Sequence, residues 1–194
     1  MSPKLLSILG ILVAVSCLVA ATTRYPGGFD WNRDYISTLL RAPAGPSRTL
    51  ADIGVLLFSV SLALVFVRLA RAAAFARSSK AIRIGGIGSM IYSALTITPM
   101  HDLMVTISLV FLLAALVPMV RELTRANERG FFAAGCICLA ILGASAAIYY
   151  SGRFVVVLPW AQRVSFGLIA VWLVALDFAF AGGVSKNQSR ILPN

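Results

Sequence analysis

Apolar residues fill long, nearly unbroken runs along this chain, and the polar residues gather in short stretches between them. A helix needs about 20 apolar residues to cross roughly 30 Å of hydrocarbon, so each run reads as a membrane crossing. The runs predict six spans, at about residues 5–21, 51–69, 84–97, 100–120, 131–150 and 164–184. The third is short unless it begins near Ala81, and Thr98-Pro99 closes it. The expected fold is all-α, a single transmembrane domain over residues 1–194. Lys4 ahead of the first run and Val19, Ala20 and Ala21 at its end also fit a cleavable signal peptide. A retained first helix is the expectation.

One stretch breaks the pattern. Tyr25 to Leu40, YPGGFDWNRDYISTLL, is polar and rich in aromatic residues. Pro26-Gly27-Gly28 marks a turn, and Asp30 is suited to cap a helix beginning directly after it. Trp31, Tyr35 and Leu39 recur at helical spacing, which predicts a short amphipathic helix from Trp31 to Leu40 lying at the interface, where Trp and Tyr favour headgroup depth. Asp30, Arg33, Asp34 and Ser37 take its other sides. The two acids stand one turn apart, close enough to share a cation or to pair with Arg33 or a lipid amine.

Composition agrees with the pattern. Of the 194 residues 59% are hydrophobic and 12% charged, against about 25% charged in soluble domains. The net charge of +10 comes from basic residues at the ends of apolar runs, where topology and anionic headgroups account for them. The aromatic and basic groove that nucleic acid needs is absent, so membrane lipids and a membrane-protein partner are the expected contacts, and nucleic acid is not. Cys17, Cys136 and Cys138 lie inside apolar runs without metal or redox spacing and read as buried, inert thiols.

Lysine and arginine set the orientation. With the N-terminus inside, Lys4, Arg68, Arg71, Arg77, Lys80, Arg83, Arg121, Arg125, Arg129, Lys186 and Arg190 face the cytoplasm, eleven of the 17. Arg24, Arg33, Arg41, Arg48, Arg153 and Arg163 remain outside. The positive-inside rule therefore predicts cytoplasmic N- and C-termini in the cell membrane, with Tyr25–Leu40 on the outer face. Small residues predict where helices meet: Gly85, Ser89 and Ser93 on the third span, Gly143 and Ala147 on the fifth.

The single histidine, His101, comes after Thr98-Pro99 on the same outer face. Thr98 is expected to cap the fourth helix, Pro99 to take its first position, and Asp102 to sit near the positive end of its dipole. A polar site can be assembled there from Asp34, Ser37, His101 and Asp102, with Arg153 reaching in; Asp30, Trp31, Arg33 and Tyr35 complete the candidate ligand-binding set. Catalytic zinc takes three protein ligands, and one histidine does not supply them, so no metal and no cofactor is expected. Asp177, inside the sixth run, costs a few kcal/mol at hydrocarbon depth and must find a donor, for which Tyr92 or a serine of the third span is the candidate.

The aromatic-Pro-Gly turn, Arg33-Asp34-Tyr35-Ile36-Ser37-Thr38-Leu39 after the first helix, and Thr98-Pro99-Met100-His101 ahead of a Phe- and Leu-rich fourth helix resemble the bacterial six-helix membrane family labelled DUF 998. The pattern is more distantly similar to the DRAM and FRAG group. The resemblance implies a fold rather than a reaction. Relatives often carry further histidine near the fourth helix, whereas His101 stands alone here, so no metal site is carried over. Three functions compete. They are lipid or partner binding through the outer face, a lipid-directed hydrolase or transferase with His101 as general base, Ser37 or water as nucleophile and Asp34 or Asp102 as orienter, and transport coupled to a proton or cation at Asp177.

Overall fold

The computed structural model describes residues 2–180. Among them it has six α-helices, three short 3-10 helices and no strand. Helix α1 (Pro3–Thr23) starts where the Ser2 hydroxyl accepts the Leu5 amide, with Pro3 in a first-turn position whose N–H would lack a partner anyway. Helix α2 (Pro46–Ala72) also opens on proline and runs about 40 Å, longer than the hydrocarbon is thick. Helix α3 (Ala76–Ala94) continues as a 3-10 turn over Leu95–Ile97, α4 is His101–Arg125, α5 is Arg129–Ser151 and α6 is Leu158–Phe180. Gly152 ends α5 in the left-handed region, φ 64°, which a glycine adopts without strain.

Five of these helices, α1, α2, α4, α5 and α6 with the turn before it, are long and apolar enough to cross a membrane. The chain is a multi-pass helical membrane protein. The expected third crossing, α3, falls short, because Arg77, Lys80 and Arg83 occupy its first half and leave the apolar stretch to begin at Ile84. Helices α1, α2, α3, α5 and α6 start two to eight residues ahead of the expected spans, whereas α4 starts one residue later, at His101. Residues 181–184 of the sixth expected span, with Lys186 and Arg190, lie outside the described residues.

Helix α2 packs against α1, α3 and α6, and successive helices complete the bundle. Phe66, Leu116 and Leu173 are fully buried at its centre. Small residues let the α3 and α4 backbones approach closely: a Cβ on Gly85 would stand 2.8 Å from the Phe111 carbonyl and the Ala115 amide. Ser89, at the same face, is fully buried and joined to Ser108 of α4 at 3.2 Å. Gly143 and Ala147, expected to form a second packing stripe, are instead exposed, with nothing within 4 Å of a Cβ on Gly143. Their face of α5 points away from the bundle. Of the three thiols only Cys138 is buried; Cys136 faces outward and Cys17 is half-buried.

Candidate functional site

The loops after α1, α3 and α5 meet at one end of the bundle and form a polar cap. Gly27 and Gly28, at φ 81° and 87°, reverse the chain after α1, and Phe29 stands edge-on to Tyr25 and Trp31. The amphipathic helix expected from Trp31 to Leu40 does not form. Asp30 and Asp34 turn onto the backbone instead: the Asn32 amide donates to Asp30 Oδ1 at 2.8 Å, and the Asp30 amide to Asp34 Oδ2 at 2.8 Å. Such local acceptors compete with helix, and the segment is a turn succeeded by a 3-10 helix over Ile36–Arg41. Leu39 and Leu40 are buried against Ala21 and Ala51, which closes the loop on α1 and α2. Burying each leucine contributes about 2 kcal/mol.

Arg163 of α6 clasps that loop. Its two terminal nitrogens donate to the carbonyls of Trp31 and Asp34, and its guanidinium lies over the rings of Phe29, Trp31 and Trp160 at 5.1–5.9 Å. Arg33 and Asp30 make only an exposed pair at 3.8 Å, worth at most about 1 kcal/mol. A second junction centres on Asp102, which accepts from Arg41 and, at 2.9 Å, from the Tyr149 hydroxyl. It joins the 3-10 helix to α4 and α5. Tyr150 and Thr106 share a hydroxyl contact beside it at 2.8 Å.

Beside the Arg41–Asp102 junction the cap holds a cavity of about 440 Å³, open to the surface. Leu40, Ile97 and Pro99 give it apolar walls; Arg41, Arg48, Thr98, His101 and Asp102 give it polar ones. Its start-of-helix wall differs from expectation. Pro99 forces Thr98 into extended backbone, the Thr98 hydroxyl turns back to the Leu95 carbonyl at 2.7 Å, and α4 begins only at His101, with no side-chain cap. Asp102 does lie in the first turn. His101 is 7% exposed, and its Nδ1 meets the Thr96 carbonyl at 2.8 Å, so Nδ1 carries the proton. Arg48 is loosely held, 3.5 Å from the Ala42 carbonyl and 3.9 Å from Asp52.

The expected constellation is thus only partly assembled. His101 and Asp102 share the cavity, whereas Asp34 is tied to Asp30 and the Arg163 clasp. Among the described residues no hydrogen bond joins His101 to Asp34, Ser37 or Asp102, and Ser37 makes none through its hydroxyl. Trp31 belongs to the clasp, Tyr35 is half-buried, and Arg153 is exposed, its amide bonded to Ser151. Arg41, Arg48 and Tyr149 form the cavity and its junction, yet in the sequence the arginines were only topological charges. Among the described residues no three His, Cys, Asp or Glu side chains come together as a metal site.

Asp177 lies at the opposite end, and its partner is neither Tyr92, which stacks on Phe111, nor a serine of α3. Arg68 of α2 takes both its oxygens, at 2.8–3.0 Å, and also donates to the Ser7 hydroxyl and the Pro3 carbonyl. Lys4 reaches the Phe178 carbonyl beside it. One guanidinium so fastens α1, α2 and α6. No family model matches this chain, nor does any curated protein or solved structure.

Proposed function

We propose that this chain is a non-enzymatic protein of the cytoplasmic membrane that binds a membrane lipid at its polar cap, with both termini cytoplasmic and the cap outside. The observation that carries the reading is the cavity: apolar and cationic groups line one opening at the end of a helical bundle, where a lipid's glycerol and headgroup lie. Its volume, about 440 Å³, suits a headgroup and the first carbons of its chains. Orientation is supported by the basic residues among those described: Lys4, Arg68, Arg71, Arg77, Lys80, Arg83, Arg121, Arg125 and Arg129 lie toward the far end, against six arginines at the cap. The exposed run Phe154–Val157 with Trp160, flanked by Arg153 and Arg163, fits headgroup depth at the cap. The resemblance to the DUF 998 family rests on its two motifs and adds a six-helix arrangement, with α3 as its third crossing.

Catalysis is the lesser reading, because among the described residues His101 makes no hydrogen bond to Ser37, Asp34 or Asp102, the groups proposed to act with it. Coupled transport is lesser too, because Arg68 neutralises Asp177. Lipid analysis of protein purified in mild detergent tests the proposal. One lipid is expected to remain per chain, and a cavity-filling Thr98→Phe substitution to remove it. Equal retention by wild type and variant would contradict the reading.

A further inference from the structure

The cavity wall carries two arginines, Arg41 and Arg48, against one carboxylate, Asp102. Arg48 presents five N–H groups, and its contacts are a marginal 3.5 Å to the Ala42 carbonyl and 3.9 Å to Asp52, which is not part of the cavity wall. The opening residues of α4, a helix of 25 residues, form another wall, and no side chain caps their amides. The first-turn amides therefore add donors and the positive end of the dipole. On the acceptor side Asp102 is the cavity's carboxylate, and its Oδ1 receives both Arg41 and Tyr149. His101 supplies a neutral acceptor. It is more than nine-tenths buried, lines the cavity, and donates through Nδ1 to Thr96, which leaves Nε2 as an acceptor without a partner among the described residues.

Resting on the lipid-binding reading, we infer that the cavity selects a phosphodiester headgroup of net charge −1 that bears hydroxyls, held by Arg48 and the α4 amides, with a headgroup hydroxyl donating to His101 Nε2. A phosphodiester supplies the acceptor oxygens that these donors lack, and guanidinium-phosphate pairing is the strong, geometrically specific form of that contact. The junction of Arg41, Asp102 and Tyr149 stays intact and positions the rim. A quaternary ammonium headgroup would meet a wall of two arginines against one carboxylate, and that carboxylate is already paired with Arg41.

Lipid titration read by native mass spectrometry, on the full chain in detergent, tests the inference with phosphatidylglycerol, phosphatidylcholine and soluble glycerol phosphate as probes. Phosphatidylglycerol is expected to bind about tenfold or more tightly than phosphatidylcholine, the scale of one charge-assisted hydrogen bond. Arg48→Gln is expected to bring that ratio near one while leaving the melting temperature close to wild type, because Arg48's own contacts are long. A wild-type measurement stands beside it: raised salt should weaken phosphatidylglycerol and spare phosphatidylcholine. Equal binding of both lipids overturns the inference and leaves the lipid reading standing. Binding of neither lipid overturns both, and glycerol phosphate displacing phosphatidylglycerol at equal concentration assigns the site to a soluble phosphate and overturns the choice of a lipid.

Discussion

Replacing Arg68 with methionine removes the cation from a carboxylate that is 2% exposed. Arg68 itself is 14% exposed, so solvent screens the pair little. Breaking one side of a buried pair leaves an uncompensated charge and costs about 3–5 kcal/mol. Arg68→Met also strips the Ser7 hydroxyl and the Pro3 carbonyl of a donor, which places the loss toward the upper part of that range. For a chain of this size the expected fall in melting temperature is about 6–20 °C. Asp177→Leu alone strands the guanidinium and should cost a similar amount. The double variant Arg68→Met with Asp177→Leu removes both charges and should recover most of the loss, since apolar replacement of a buried pair is often neutral. Thermal unfolding of the four proteins in one detergent gives the coupling energy directly. Additive losses, or single variants within about 1 °C of wild type, would refute the account of Arg68 as the fastening of α1, α2 and α6.

The same geometry sets other outcomes. Arg163→Lys keeps the charge but cannot fork to the Trp31 and Asp34 carbonyls, so the loop 24–45 should gain several-fold in amide exchange while the bundle core is unchanged. Gly85→Ala pushes a methyl against the α4 backbone and should destabilise by about 1–3 kcal/mol, whereas Gly143→Ala, facing open space, should be neutral or raise stability by up to about 1 kcal/mol; melting curves compare the two. With the three native cysteines replaced, Asn32→Cys should react with an impermeant maleimide on intact cells and Ala74→Cys should not, the reverse pattern contradicting the proposed orientation.

The spans were legible because hydropathy is a property of each run alone, and it suffices for α1, α2, α4, α5 and α6. What the sequence concealed were the partners, which are set by tertiary approach. Arg68 read as a topological charge at the end of the second run, yet it lies inside α2 and meets an acid 109 positions away. Asp177 was recognisable as a residue needing a donor; which donor depended on the α2–α6 contact. The helical spacing of Trp31, Tyr35 and Leu39 was real, but Asp30 and Asp34 offered the backbone nearer hydrogen bonds and the turn prevailed. His101 was visible as the only histidine, while its role depended on Pro99, which ends the 3-10 turn and leaves the Thr96 carbonyl within reach. Arg41, Arg48 and Arg163 carried no mark that set them apart from the other arginines of the cap.

The lipid-binding claim is tested most directly by photocrosslinking a phosphatidylglycerol that carries a diazirine in its headgroup to the protein in vesicles, then mapping the labelled peptides. The account predicts label concentrated in the cavity walls, around Leu40–Arg48 and Ile97–Asp102, and lost in Arg48→Gln. Label spread evenly over the outward faces of the helices, unchanged by that substitution, would contradict it.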